Sequence, residues 1–535
     1  MNWLPRSALP LALAASMLVL LGGCAMLPPG AGYPRSASSA LAHPEQTRLG
    51  AQFAEAGREH GGQSGFRIIP VGADGFLMRM QMINAAEKTL DLQYYIFRGD
   101  DTGRLLTYAL LRAADRGVRV RILVDDGETE DGDEQLALLE AHAKVEMRIF
   151  NPFAYRGHAT LWRFVEYLFN AGRLDYRMHN KLLVTDNAVA LLGGRNIGDQ
   201  FFQIDPDSQF ADDDVFATGP VARQLSISFD EFWNNALSIP AAALSGGKPS
   251  HDSLEEHRED LREEGRQARA AGADYVRRLA SGEPLAGILA GRSPLIWAPA
   301  QLLVDSPDKK QVDSGAMVGK LMQRRVAAAV AAVHSELLMI TPYLIPGAEG
   351  MRLLKELRQR QVRVRILTNS LESSTVLLAQ AGYMHYRIPL LEAGVELNEI
   401  RALLGNSKGS GQSTAMSRHG NYSLHAKLFV LDRQRLFVGS MNFDQRSMHL
   451  NTEIGLIIDS PALARQVAER FDAMAKSDNS YALALRPDAA GGAPVLRWLT
   501  RVAGEAVEYD VEPARSAGQR FEVKLLSLLP LDSEL

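Results

Sequence analysis

The feature that most constrains this chain is a repeat. "GVRVRILVDD" begins at residue 117 and "QVRVRILTNS" at residue 361, so VRVRIL recurs at an offset of 244. "HNKLLVTDNAVALLGGRN" (179–196) and "HAKLFVLDRQRLFVGSMN" (425–442) follow at an offset of 246. Each reads His, any residue, Lys, four residues, Asp, six residues, Gly, Gly or Ser, any residue, Asn. The match continues downstream, where Asp212 stands eight positions before Pro220 and Glu453 eight before Pro461. Self-similarity on this scale means two copies of one structural unit. At average usage, five fixed positions recur by chance at about one start in a million. Core packing alone gives no reason to keep His, Lys, Asp and Asn in both copies.

The residues around each copy set the fold class. "LDLQYYIF" is aromatic and apolar with turn residues behind it, the pattern of a strand. "GRLLTYALLRAADRG" carries apolar residues at helical spacing and stops at Gly117, and "VRVRILVDD" is a second strand. This is a βαβ unit, which implies an at least partly parallel sheet. "ELLMITPYLIP", "GMRLLKELRQRQ" and "VRVRILTNS" repeat the order at 336–370. The expected fold is α/β, with two similar halves and mixed sheets flanked by helices. The halves are expected over 50–240 and 291–480, joined by a charged connector over 241–290 and followed by an extension over 481–535. Within the connector, acids and arginines at three- and four-residue spacing across 251–282 predict a solvent-facing helix.

The repeated motif carries chemistry. If it is a strand, His179 and Lys181 share a face, as do His425 and Lys427. Leu182 and Val184 then build core, and Asn196 and Asn442 supply amide donors. Gly193 and Gly194, with Gly439 and Ser440 in the second copy, allow close backbone approach. Two such sets brought together would place two lysines, two histidines and two amides around one point, which suits a phosphodiester anion. One histidine can attack phosphorus while the other protonates the leaving oxygen and then activates the incoming nucleophile. Neutral-range titration equips histidine for both parts. Asp212 and Glu453 are expected to accept a hydrogen bond from a ring nitrogen and fix its tautomer. Asp186 and Asp432, seven residues past their histidines, are read as structural turn residues.

The remaining features narrow the class. Net charge is −5, where a protein tracking long nucleic acid usually carries a basic excess. Nucleic acid is therefore not the expected partner. No Cys/His zinc spacing, P-loop or dinucleotide fingerprint occurs, so no cofactor or metal is expected. The acidic run 125–134 is read as a solvated loop, with a divalent cation as the alternative. "LWRFVEYLFNAG" (161–172) puts Leu161, Phe164, Val165, Leu168 and Phe169 on one helical face, the pattern of core packing. Lining an acyl groove or touching lipid is the other reading. The tail "KLLSLLPLDSEL" is open between membrane contact and docking on its own domain, and the polar loop 405–423 between substrate gating and plain mobility.

The N-terminus reads Arg6, an apolar run and "LLGGC" ending at Cys24. This matches a lipoprotein signal over 1–24 with a lipobox, followed by a Pro/Gly/Ser/Ala-rich tether over 25–48. Acylation of Cys24 would tether the chain to a membrane of the bacterial envelope without spanning it. Ala25 leans toward the outer membrane.

The doubled His-x-Lys-x4-Asp pattern resembles the phospholipase D superfamily across most of residues 75–480. "LQYYIFRGDDTGRLL", "FNPF", "RMHNK", "GGRNIGDQFF", "ITPYLIP" and "NFDQRSMHLNTE" are similar to bacterial cardiolipin synthases, nearest to the type C enzymes. The resemblance implies a metal-independent, two-step phosphatidyl transfer at the interface of the halves, with His179, Lys181, Asn196, His425, Lys427 and Asn442 as the paired catalytic positions. His179 is favoured as nucleophile by the same resemblance. The implied partners are phospholipids: phosphatidylglycerol, with phosphatidylethanolamine as a second substrate. Hydrolysis by water, and a lipoprotein that only binds anionic headgroups, stand as alternatives. No motif identifies a protein partner.

Overall fold

The computed structural model describes residues 28–127, 136–155, 160–204, 208–245, 247–270, 282–403, 421–488 and 491–529. The expected signal segment with Cys24 lies outside them. So do residues 128–134 of the acidic run, 271–281 of the connector, 405–420 of the polar loop and 530–535 of the tail.

Both βαβ units form. Thr89–Tyr94 and Arg119–Asp125 pair in parallel, with Leu92 opposite Ile122. The helix Asp101–Asp115 crosses between them, its first turn capped by the Asp100 carboxylate on Gly103 N–H. Glu336–Ile340, Gly347–Gln359 and Arg363–Asn369 repeat this, with Leu338 opposite Arg365.

The repeated VRVRIL has a specific use. Its second arginine reaches an acid on the helix behind the sheet: Arg121 to Asp230 at 2.8 Å, and Arg365 to Asp472 at 2.6 Å. Each guanidinium also lies 4.8 Å from a phenylalanine ring on that helix, Phe229 or Phe471. A planar cation can stack on a ring and bond a carboxylate at once, which ties strand to helix twice over.

Among the described residues the first half builds a nine-stranded sheet and the second a ten-stranded one. In each, the parallel strands sit beside an antiparallel run that contains the two strands of the histidine motif. Leu182–Thr185 and Val189–Gly193 form one hairpin, and Leu428–Leu431 and Arg435–Gly439 the other. The chain passes from one sheet to the other at Pro299. Ile296–Ala298 pairs with the first sheet, and Ala300–Val304 with the second. Past residue 480, three antiparallel strands (Ser480–Arg486, Val495–Val502, Glu505–Tyr509) widen the second sheet.

One apolar core lies between the halves. It joins Leu182, Val184, Leu192 and Val215 to Leu428, Val430, Val438 and Leu456, with Trp233 and Phe471 from the two helices Pro220–Trp233 and Pro461–Met474. Separate cores fill the far face of each sheet. The motif strand is thus buried on both faces: Leu183 packs outward while Leu182 and Val184 pack inward. His179 and Lys181 are not on a strand face. They occupy the extended segment leading into Leu182–Thr185, at the end of the sheet.

The helix Thr160–Leu174 departs from the core-packing expectation. Leu161, Trp162, Phe164, Leu168 and Phe169 are exposed. The C-terminal helix Ala517–Leu526 docks through Val523 against Leu371 and Ala381, leaving Phe521 and Leu525 exposed.

Candidate active site

The two motif segments meet where the halves meet, because each is stitched to the opposite half. His179 N–H donates to Thr452 O (3.0 Å), and Thr452 N–H to Arg177 O (2.9 Å). In the other copy, Asn421–Leu424 pairs in parallel with Ser208–Ala211. There His425 N–H and Ala426 N–H both donate to Ala211 O. Each seam sets the segment before one histidine beside the segment before the other half's acid.

The side chains therefore cross. His179 Nδ1 lies 3.0 Å from both carboxylate oxygens of Glu453, and His425 Nδ1 lies 2.6 Å from Asp212 Oδ2. Each histidine is oriented by the acid of the opposite copy, a partnership that spacing within one copy does not reveal. With Nδ1 on the carboxylate in both rings, Nε2 is left on the reactive side. The rings are nearly buried, at 8% and 9% exposure.

Lys181 Nζ donates to His179 O at 2.6 Å, and Lys427 Nζ to His425 O. Burial drives His179 well below its ordinary range, and Lys181, Lys427 and Arg446 add to that. Burial and Lys427 drive His425 down to about 3 against the pull of Asp212. Both rings are thereby biased toward the neutral form. Burial also lowers both lysines, Lys427 to about 8, while Asp212 and Glu453 support their charge. An anion entering here meets cations already stripped of water.

The copies are not identical. Burial pushes Asp212 upward, but His425, Lys427 and Arg195 outweigh it and hold the carboxyl below its usual range. Burial pushes Glu453 up to about 7, although Lys181, Ser440 and Lys309 oppose it. The two copies also differ in the space beside each acid. A Cβ on Gly194 would stand 2.1 Å from Asp212 Oδ1, so that position has room only for glycine. Ser440, its counterpart, instead donates its hydroxyl to the Glu453 carboxylate. The surroundings differ too: His425 sits against Phe201 and Phe210, and His179 against the edge of Tyr95.

Asn196 Oδ1 accepts from Ile96 N–H (3.2 Å), and Asn442 lies buried with its N–H on Ser447 Oγ (3.2 Å). Gly193 and Gly439 both abut backbone: an added Cβ would come within 2.2 Å of Asp213 O and 2.4 Å of Ile454 O. Asp186 and Asp432 lie away from the histidines at the hairpin turns, both with positive φ. Asp186 accepts the N–H groups of Glu87, Lys88 and Thr89, and Asp432 those of His334, Ser335 and Glu336. Each carboxylate pins the start of the adjacent parallel strand.

Several contributors were missed. Asp125 accepts Met178 N–H at 2.7 Å, immediately before His179. Asn369 accepts Leu424 N–H at 2.8 Å, immediately before His425. These are corresponding residues at the ends of the two VRVRIL strands, so the repeat extended past its apolar core would have found them. Asp305 supports Glu453 by accepting its N–H (3.0 Å), and Lys309 is bonded to Asp305 at 2.9 Å. Arg446, paired with Asp175 at 2.7 Å, adds positive charge near His179. Among the described residues, no cluster of three or more His, Cys, Asp or Glu side chains is arranged to hold a metal.

The family described as "Cardiolipin synthase, PLD-like domain" matches residues 80–233 and 327–475, one histidine motif in each stretch. The chain belongs to the phospholipase D-like cardiolipin synthase family. It is 35% identical over 486 residues to cardiolipin synthase C of Escherichia coli (strain K12), covering 89% of this chain and 97% of that one. It is 25% identical over 394 residues to a cardiolipin synthase of Geobacillus kaustophilus, covering 73% of this chain and 62% of that one. In fold it is similar to phosphatidylserine synthase of Haemophilus influenzae Rd KW20, with a TM-score of 0.51 and 14% identity, covering 81% of this chain and 92% of that one. Membership in this family makes the chain an enzyme of the phospholipase D superfamily.

Proposed function

We propose that this enzyme transfers a phosphatidyl group between phospholipids through a phosphohistidine, with His179 as nucleophile and His425 as acid and base. The observation that carries this is the crossed pairing of two histidines with buried carboxylates, each histidine bonded by the buried lysine of its own motif. His179 Nε2 attacks phosphorus, forming a P–N bond as the P–O bond to the leaving headgroup breaks. Lys181 and Lys427 hold the nonbridging oxygens, with Asn196 and Asn442 beside them. Bound phosphate adds the negative charge that lets His425 carry a proton, which it delivers to the leaving oxygen. His425 then takes the proton from the acceptor hydroxyl, whose oxygen displaces Nε2 from phosphorus.

The division of labour follows from the unequal acids. Asp212 stays ionised and can stabilise an imidazolium, which suits the ring that exchanges protons. Glu453, raised to about 7, is a weaker anion and suits a ring that must stay neutral to attack. Phosphatidylglycerol as acceptor yields cardiolipin. Phosphatidylglycerol or phosphatidylethanolamine as donor releases glycerol or ethanolamine. Acylation of Cys24, with an outer-membrane address, would keep the enzyme in the plane of its substrate.

The test is direct. Purified full-length enzyme is incubated with vesicles of phosphatidylglycerol and phosphatidylethanolamine, and the lipids are resolved by mass. Cardiolipin is expected; phosphatidic acid as sole product would sink the transferase reading in favour of hydrolysis.

A further inference from the structure

The helix Thr160–Leu174 is inverted relative to an ordinary surface helix. Its polar residues face the protein. Arg163 donates to Asp126 O (2.5 Å), and Glu166 accepts the N–H groups of Ala154 and Tyr155. Arg173 donates to Asn151 Oδ1 and Pro152 O, both at 2.8 Å, and Tyr167 to Asp175 (3.2 Å). Its apolar residues face outward. Phe169 is 84% exposed and Leu161 67%, with Trp162, Phe164 and Leu168 each more than half exposed. At 100° per residue these five, with Val165, fill one continuous arc ahead of the kink at Asn170, and it holds no charged residue. A soluble surface does not leave such an arc to water without a reason.

A second apolar tip is tied to the same place. Lys310 Nζ donates to Gly172 O at 2.6 Å, and the next residue, Gln311, accepts Met317 N–H. The segment 314–320 is exposed throughout, with Met317 and Val318 in its middle. Exposed Lys310, Lys320, Arg324 and Arg325 flank it: Lys320 pairs with Glu231 at 2.6 Å and Arg324 with Asp313 at 4.0 Å, while Lys310 and Arg325 donate to neutral oxygens. Apolar side chains bordered by cations complement an anionic bilayer surface: acyl region below, phosphate above.

We propose that the helix Thr160–Leu174, with the Met317–Val318 tip, inserts shallowly into an anionic phospholipid bilayer and holds the active site against it. This rests on the phospholipid reading above, because the inserted helix leads straight to the site. Asp175, just past its end, binds Arg446, and Arg177 bonds Asp125, which also holds Met178 beside His179. Docking would therefore set the height of His179 over the membrane without any acyl anchor.

The experiment uses the chain from residue 25 onward, the expected mature protein without its signal segment and Cys24, so that neither an apolar leader nor an acyl chain contributes. Vesicles of phosphatidylglycerol and phosphatidylethanolamine with brominated acyl chains are added, and tryptophan emission is read. Quenching is expected, and Trp162→Phe should remove most of it. The double variant Leu168→Asp, Phe169→Asp should float with vesicles about tenfold more weakly while keeping the wild-type melting temperature, since both side chains are largely exposed. Equal quenching in Trp162→Phe, together with unchanged flotation of the double variant, would overturn the proposal. So would a dimer that the double variant converts to monomer with flotation unaffected, because a second copy would then cover the face. Docking without lipid product would sink phosphatidyl transfer and leave membrane docking standing.

Discussion

Asp212→Asn and Glu453→Gln are the same chemical change at corresponding positions, and their effects should differ. Asp212 lies 2.6 Å from His425 Nδ1, fully buried and ionised. When His425 takes a proton it becomes a cation beside that anion. Opposed unit charges about 4 Å apart attract by about 4 kcal/mol at an effective dielectric constant of about 20. An asparagine keeps the acceptor oxygen and part of the interaction, so the loss to the transition state is about 3 kcal/mol, or about 150-fold in kcat. Glu453 near pH 7 is partly protonated already, because its carboxyl sits at about 7. In the proposed mechanism its histidine gains a phosphoryl group that brings negative charge of its own. Glutamine should therefore cost about tenfold, or about 1.4 kcal/mol. The assay is initial-rate cardiolipin formation from phosphatidylglycerol vesicles at pH 7, with melting curves to verify that both variants are folded. A loss in Glu453→Gln equal to or larger than that in Asp212→Asn would refute the assignment of proton transfer to His425.

Three other expectations follow from the same geometry. With a phosphatidyl substrate whose leaving group needs no proton, His425→Ala should accumulate an acid-labile phosphoenzyme and His179→Ala none; the reverse pattern exchanges the two roles. Lys427, lowered to about 8, carries its charge below that pH and loses it above. KM for phospholipid should then climb as pH rises through about 8, and Lys427→Arg should move the climb upward, which a pH series of KM reads directly. Gly194→Ala would drive a methyl group against Asp212, with a predicted separation of 2.1 Å, and should lower kcat about 100-fold by displacing the carboxylate from His425. Ser440→Gly in the other copy creates no clash, and its rate should stay within about tenfold of wild type.

Much of this was legible because the chain states it twice. A strand–helix–strand order read once is a weak pattern; read again 244 residues later, with VRVRIL kept, it implies a duplicated α/β unit. The paired His-x-Lys segments were legible on the same ground. The sharing of carboxylates was not. Asp212 follows His179 and Glu453 follows His425 in the chain, and only the seams Ser208–Ala211 with Asn421–Leu424, and Met178 with Thr452, reverse the partnership. A strand seam across domains leaves no periodicity to read. Helical spacing located the apolar arc from Leu161 to Phe169 but not its direction. The same spacing describes a helix facing a core and one facing outward, and what separates them is the bonding of Arg163, Glu166 and Arg173 to distant backbone. The three strands past residue 480 were missed because Ser480–Arg486 finds its place only against Asn398–Ile400.

The crossed histidine–carboxylate pairs make this enzyme fail as a unit. Because each ring depends on the opposite half, a rigid-body shift between the halves breaks both pairs in one movement. A half that folds alone holds a histidine without its acid and an acid without its histidine, so it is chemically silent. Under the proposed function, cleavage would thereby be restricted to molecules whose two halves are fully assembled. On the proposed reading of a phosphatidyltransferase docked on a bilayer, the seam would act as a safety interlock on that bilayer.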